Sequence, residues 1–510
     1  MGKRTRNSIL NIIVIIVMQI MALLYSLISK KLFLDSFSIS IYGVVDLFNS
    51  FFKSLMMLEL GFGTVLIFNL YKPIATDNKK EIRKQLSLFK TIYMVISIII
   101  LVISLCSLPF LYNIFNIAYD DKIIVYEIYC LNIISLLVKY YFLNKISILN
   151  ASQTNYVQNI STIIVDLIGF LLKVVSILVF KNPYIFVFSL LLVPSLSYFI
   201  QSSWINKHYD VKGIKFASIK DIKDSEILIQ IKKYLYATIY NLVFMSMDNM
   251  IISAKLSTDA VAYVSNYLIF LDIGGTFIGS ISISLRGIMA DYKHKENDDI
   301  GYFKVFKIVS FLSFFFVSLM IVGFYCMADN FISLWIGSKY LIERKIFIIL
   351  LLIRLTDSLC EPILSVFSIS GYIFKEKIPL IVSALTNLFL TLILIDKIGL
   401  FGVYLATLIA LAIKWISKFG YVIKGVFARY KSNIIYTYTM YFLIIIFESV
   451  FINCLLNVIF HEISSIGMFL LKLIVLIIIT CLINASLIFF DNDVKGYLIN
   501  IKNKWNNERN

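Results

Sequence analysis

The chain has 510 residues, 60% of them hydrophobic and 15% charged, with a formal net charge of +16. A soluble globule of this length needs far more polar surface, so the composition excludes one and places the chain among polytopic membrane proteins. The basic residues fall in short clusters between apolar runs, a pattern that suits anionic headgroups and the positive-inside rule rather than nucleic acid.

The opening MGKRTRN precedes a long apolar run in the manner of a signal peptide. No small-residue cleavage motif closes that run and further spans follow, so an uncleaved first helix is expected. Runs of roughly 20 residues match a hydrocarbon core of about 30 Å. They predict fourteen spans, near 8–30, 39–70, 87–111, 122–149, 157–180, 184–205, 232–254, 259–286, 304–328, 344–371, 376–396, 398–424, 432–459 and 464–490. The fold class is therefore an all-α polytopic membrane protein.

The second span is unusual. Ile39–Lys72 carries Asp46, Asn49, Lys53 and Glu59 and then Gly61-Phe62-Gly63. As one straight helix it would be roughly 50 Å long at 1.5 Å per residue, so it must tilt, bend or overhang. A lysine at such depth costs about 2.5–3.5 kcal/mol on insertion scales, so Lys53 is expected to face a water-filled cavity or to pair with Asp46.

The longest polar stretch, Asn206–Ile231, is expected to be a cytoplasmic linker, with Phe216, Ile219 and Ile222 on a short interfacial helix. The tail from Asp491 lacks core residues and is expected to lie on the surface or fray. The remaining loops are too short to hold a soluble catalytic domain.

Charge sets the orientation. With a cytoplasmic N-terminus, 31 Lys/Arg fall on the inside and nine on the outside, and seven lie within spans. That bias predicts cytoplasmic N- and C-termini.

LISKKLFLD at 27–35 matches IISAKLSTD at 251–259, each at the outer end of the first helix of a six-helix half. The match suggests parallel repeats. The expected organisation is a six-helix lobe over 1–206, a linker over 207–231, a second six-helix lobe over 232–430, two further helices over 431–490 and a tail over 491–510. The two lobes would be related by a pseudo-two-fold axis.

The cations within spans are Lys53, Lys139, Lys173, Arg354, Lys414, Lys418 and Lys472. Lys173, Lys418 and Lys472 lie near span ends, where snorkelling explains them. Lys53, Lys139 and Lys414 are deeper. A cluster of buried cations calls for an anion, and a phosphate group is the natural candidate. Arg354, Asp357 and Glu361 share one helix face ahead of Pro362, either as an internally paired stripe or as part of a site. Glu361, Glu59 and Asp248 are carboxylates of the kind that exchange a proton or hold a cation within a membrane. Gly61 and Gly63 in the second span and Gly274, Gly275 and Gly279 in the eighth mark either helix interruptions at a transport site or close helix packing.

Six cysteines lie singly in or beside apolar runs, and three histidines lie in separate loops, so neither a metal site nor a catalytic triad is expected. Nucleotide-binding motifs are missing, which leaves an ion gradient, the substrate's own gradient or a partner as the energy source.

Certain segments resemble bacterial polysaccharide-unit flippases of the multidrug/oligosaccharidyl-lipid/polysaccharide exporter superfamily. They are Leu58-Glu59-Leu60-Gly61-Phe62-Gly63 with Asn69-Leu70-Tyr71-Lys72-Pro73, Met247-Asp248-Asn249-Met250-Ile251-Ile252-Ser253, Leu334-Trp335-Ile336-Gly337-Ser338-Lys339-Tyr340-Leu341, and Gly399-Leu400-Phe401-Gly402-Val403. The likeness runs from about residue 7 to 430, and the last two spans follow only in hydrophobicity.

The resemblance implies two lobes around a cationic cavity open to alternate sides, with the last two helices bordering a groove for a lipid tail. It implies that cavity cations hold the diphosphate of an undecaprenyl-linked oligosaccharide bound for O-antigen, capsule, exopolysaccharide or teichuronic acid assembly. Carboxylates would couple transport to H+ or Na+. On this reading Lys53, Lys139, Arg354 and Lys414 bind substrate. Glu59, Asp248, Asp357 and Glu361 couple ions, and Gly61, Gly63, Gly274, Gly275 and Pro362 act as hinges. The family's arginines have no residue-by-residue match, since the cations here are mostly lysines.

The expected protein is a non-enzymatic flippase of the bacterial plasma membrane, without a cofactor or nucleic-acid partner, acting with membrane lipids and a polysaccharide polymerase machinery. The alternatives are a cation-coupled multidrug exporter, a peptidoglycan lipid-precursor flippase and, less readily given the short outer loops, a polysaccharide polymerase.

The topology is tested by reporter fusion. Alkaline phosphatase joined after Lys181 is expected to be active and one joined after Lys207 inactive; the reverse pattern overturns the orientation.

Overall fold

The computed structural model describes residues 3–488 apart from 58–59, 118–120, 153, 210, 219, 222–226, 228, 230–239, 241–246, 292, 294–298 and 461–464. Among the described residues there is helix and no strand. The helices are α1 (Lys3–Ser36), α2 (Ile39–Met57), α3 (Leu60–Ala75), α4 (Lys79–Ser107), α5 (Lys122–Ala151), α6 (Asn155–Leu178), α7 (Pro183–Leu191), α8 (Leu196–His208) and α9 (247–255). They continue with α10 (Thr258–Asp291), α11 (Asp299–Trp335), α12 (Arg344–Leu359), α13 (Glu361–Ile369), α14 (Lys377–Gly425), α15 (Lys431–Ile459) and α16 (Ile466–Ile488). Nine helical segments among the described residues are long and apolar enough to cross a membrane.

Where span and helix differ, backbone chemistry explains it. The long second span is helical on either side of residues 58–59, as α2 and α3. Pro194 sits in the 3₁₀ turn Val193–Ser195 that divides the sixth span into α7 and α8. The tenth span divides at Cys360, with Pro362 in the first turn of α13, where its missing N–H costs nothing. The eleventh and twelfth spans join in α14, which breaks at Ile398–Gly399. Gly399 adopts φ 60° and ψ −142°, a region open to glycine and costly for other residues.

The chain separates into two compact units, Met1–Ala262 and Tyr263–Asn510. The division falls one helix beyond the 231/232 junction expected from sequence, and hydrogen bonds account for the shift. Asn249 Nδ2 donates to Ser50 Oγ at 2.8 Å. The Asn116 side chain donates to Leu256 O at 2.6 Å, and its backbone N–H donates to Ser253 O at 3.1 Å. Gly43 of α2 lies so close to the Thr258 carbonyl that a Cβ there would clash with it. α9 and the turn after it are thus fastened to the first unit. Much of the expected seventh span, Ile219 and Ile222 of the expected linker, Glu59 and the tail lie outside the described residues.

In the first unit α5 is central and packs against α2, α3, α4, α7 and α8, burying Ile124, Val125, Ile128, Tyr129 and Leu136. In the second, α11 is central and packs against α12, α13, α15 and α16. One core cluster there joins Val322, Cys326 and Met327 of α11 to Ile452 and Leu456 of α15 and Leu476 of α16.

Phe216, expected on an interfacial helix, lies instead on a non-helical strap over 211–218, while residues 220 and 221 are helical. The strap is laid along α4 because its carbonyls find donors there. Lys90 Nζ donates to Ile214 O at 2.7 Å, Ser87 Oγ to Lys215 O at 2.8 Å and Arg83 Nη2 to Lys212 O at 3.1 Å. At its end Asp221 accepts from the Ser218 N–H and hydroxyl while Ser218 Oγ accepts from the Asp221 N–H, a reciprocal cap. These bonds hold the Asp221 carboxyl below the usual carboxylate range.

Two glycines separate strain from space. Gly399→Ala is expected to destabilise the protein by roughly 1–3 kcal/mol. Gly323→Ala, where a Cβ meets nothing within 4 Å, should be neutral or stabilising by up to about 1 kcal/mol. Thermal unfolding in detergent checks both.

Candidate functional site

In the first unit, two helices turn polar faces toward one cavity of about 220 Å³. α2 supplies Asn49, Phe52, Lys53 and Met56, and α5 supplies Asn132, Ser135, Leu136 and Lys139. Each set runs i, i+3, i+4, i+7, the spacing that gathers side chains on one helix face. Tyr198 of α8 also lines this cavity. Asn132 Nδ2 is bonded to Ile128 O at 2.9 Å, and the Ser135 and Ser195 hydroxyls lie 3.3 Å apart. Lys53 and Lys139, distant in sequence, thus share a polar hollow. Asn132, Ser135 and Tyr198 were not foreseen; a search for polar residues at i, i+3 and i+7 in apolar runs would have found the first two with Lys139.

Asp46, the alternative partner for Lys53, interacts electrostatically with Lys30 and Tyr42. Lys30 is 1% exposed and its Nζ lies 4.4 Å from the Tyr42 ring centre. Tyr42, with Asp166 and Lys173 of α6, lines a second cavity of about 270 Å³. Lys173 therefore lines a hollow beside an acid rather than simply snorkelling.

The second unit arranges its charges differently. Arg354 of α12 pairs with Asp272 of α10, not with Asp357 in its own helix. Asp357 accepts from Lys414 Nζ at 2.9 Å and Trp415 Nε1 at 3.2 Å, both on α14. Lys418, one turn further on, pairs with Glu376, and it too is buried rather than snorkelling. Lys472 is likewise buried, with its Nζ 3.3 Å from Asn330 Oδ1.

Glu361 opens α13 and interacts electrostatically with Asp357, Arg286, Lys414 and Lys418. Beyond it, Arg286 Nε donates to Ser365 Oγ at 3.3 Å and Lys293 Nζ to Ser370 Oγ at 2.7 Å. The expected stripe on one helix is therefore a ladder of alternating charge across α10, α12, α13 and α14. Sequence spacing identified the rungs on α12 but not their partners on other helices.

Gly274 and Gly275 act as spacers. α10 runs unbroken through Gly274 and Gly275. A Cβ on Gly275 would collide with the Arg354 guanidinium, and one on Gly274 would press on Met320 and Phe324. Gly61 and Gly63 lie in α3, where a Gly63 Cβ would meet only Tyr93 Oη at 3.8 Å. Asp248 is half-buried on α9, next to the Asn249 that anchors this helix to α2.

No family model matches the sequence. No curated protein matches it either. Solved structures do. The chain is similar to "Lipid II flippase MurJ, inward closed conformation", with a TM-score of 0.71 and 18% identity over 95% of this chain and 99% of that one. It is also similar to an inward-facing multidrug resistance MATE family transporter of the MOP superfamily, at TM-score 0.59 and 16% identity over 82% of this chain and 98% of that one. The outward-facing form of a MATE transporter matches at TM-score 0.56 and 15% identity over 84% of this chain and 97% of that one. The chain shares its fold with these solved flippase and transporter structures.

The Lys414–Asp357 bond is open to a direct test. Asp357→Ala leaves the Lys414 and Trp415 donors without their acceptor and is expected to cost roughly 1–3 kcal/mol. Adding Lys414→Met should recover part of the loss, and strictly additive melting shifts would show that the two side chains do not interact.

Proposed function

We propose that this protein is a flippase that carries undecaprenyl-diphosphate-linked oligosaccharide units from the cytoplasmic to the outer leaflet of the bacterial plasma membrane by alternating access. The observation that carries this reading is the shared hollow of Lys53 and Lys139, lined also by Asn132 and Ser135. Ammonium groups neutralise a diphosphate, amide and hydroxyl groups bond its oxygens, and the polyprenyl chain stays in lipid. A doubly charged head alone faces a prohibitive barrier in hydrocarbon, and a cationic polar cavity removes it.

Arg354 and Lys414 serve as exchangeable cations in this reading, each held by an acid until a phosphate competes for it. Asp357, Glu361, Asp248 and Glu59 are the proposed H+ or Na+ coupling groups. The fold supports a flippase or exporter and gives no support to a polymerase. Lysines in the cavity favour an anionic substrate over the cationic compounds of a multidrug exporter. A second reading, transport of the peptidoglycan precursor lipid II, is favoured by the extent of the match to the MurJ structure, which spans 95% of this chain. The two substrates share the polyprenyl diphosphate and differ in the sugar and peptide beyond it.

Depletion in the native host distinguishes them: a lipid-linked oligosaccharide should accumulate on the inner leaflet under the first reading and lipid II under the second. Accumulation of neither overturns both. In membrane vesicles, Lys53→Ala and Lys139→Ala are each expected to slow appearance of the lipid-linked sugar outside by roughly 10- to 100-fold, the value of a charge-assisted hydrogen bond of about 1.5–3 kcal/mol. Lys53→Arg should retain most of the rate. Unchanged transport in both alanine variants would remove the cavity from the mechanism.

A further inference from the structure

The two C-terminal helices carry a polar group that the proposed transport path does not use. Glu448 of α15 is 0% exposed, although about 16 Å of helix separates it from the end of α15 at Ile459. One of its oxygens, Oε2, accepts a hydrogen bond from Ser318 Oγ of α11. Ser318 in turn accepts from Asn484 Nδ2 of α16 at 3.0 Å. Three helices thus meet at one hydroxyl. Glu448 Oε1 and Asn484 Oδ1 are both buried with no hydrogen-bond partner among the described residues. Each is one carbon away from an atom already bonded to Ser318.

The surroundings are apolar, with Val322, Ile452, Leu456 and Leu476 in the cluster alongside. Of the charged groups on the helices packed against α15, Lys414 is paired with Asp357, Lys418 with Glu376, Lys472 with Asn330 and Asp329 with Arg344, while Lys377, Asp396 and Lys397 lie in the first part of α14, before its break at Ile398–Gly399. Lys304 and Lys307 lie more than about 15 Å along α11 from Ser318. Lys424, Arg429 and Lys431 lie at the far end of α15 or before it. The neighbouring titratable groups without charge are Tyr438, Tyr441 and Cys454 on α15, Tyr325 and Cys326 on α11 and Cys481 on α16. Among the described residues the Ser318 hydroxyl is the hydrogen-bond partner of the Glu448 carboxyl. A bare carboxylate in such a place is costly, and a divalent ion would leave a net positive charge there instead.

We propose that Ser318, Glu448 and Asn484 form a buried site for one monovalent cation, either a proton on the carboxyl or a sodium ion held by its oxygen atoms. Such a site would bind the C-terminal helix pair to α11 in a cation-dependent way, independently of the substrate assignment above.

The test is carbodiimide labelling of the full-length protein in lipid nanodiscs, read by peptide mass spectrometry. Dicyclohexylcarbodiimide adds to protonated carboxyls in apolar surroundings. Glu448 is expected to be labelled in choline chloride. A sodium site predicts that NaCl suppresses the adduct by roughly tenfold once its concentration is about ten times the dissociation constant. A proton site predicts equal labelling in both salts. Glu448→Gln should abolish that adduct and keep the fold. The wild-type labelling decides the matter even where this variant does not fold: a Glu448 unlabelled in both salts overturns the proposal.

Discussion

A charge in hydrocarbon must reach water, meet a counter-charge or lose its charge, and the polar architecture of this protein follows from that constraint. The two units meet it in different ways. The second unit pairs Arg354 with Asp272, Lys414 with Asp357 and Lys418 with Glu376, each bond joining two different segments. The first unit turns Lys53 and Lys139 toward one cavity and Lys173 toward another. The first arrangement ties helices together; the second makes room for solvent or solute.

The fold was legible because its main determinant is one-dimensional. Apolar length sets the spans, and the helices follow them closely, with breaks where Pro194, Pro362 and Gly399 place them. The unit boundary was harder to read. It depends on which neighbour offers hydrogen bonds to α9, and the donors at Asn116 and Asn249 look unremarkable in sequence.

The charged side chains around the candidate site stood out in the sequence, but their pairings and the polar Asn132, Ser135 and Tyr198 did not. Arg354, Asp357 and Glu361 announced themselves by spacing, yet the partners Asp272, Lys414 and Arg286 come from helices far away in the chain. Gly275 shows the limit well. In sequence it is open to two readings, a hinge or a packing contact; in the structure its missing Cβ is the space that the Arg354 guanidinium occupies. Lys418 and Lys472 were read by distance from a span end, a criterion blind to an acid or amide on the next helix.

Ion pairs of this kind also suit exchange. The Arg354–Asp272 pair has an asymmetric setting, with the arginine side chain 22% exposed and the aspartate 67% exposed. An incoming phosphate that takes the guanidinium frees a carboxylate already near solvent, which water or a proton can satisfy at modest cost. Lys414 differs, because Asp357 also accepts from Trp415 and feels Arg354 and so stays anchored when the lysine leaves. Under the proposed reading, the first pair opens readily to substrate and the second resists until its carboxylate gains another positive charge. That difference would let one ladder respond to both anion and cation, because each rung is held by competition among charges rather than by apolar packing.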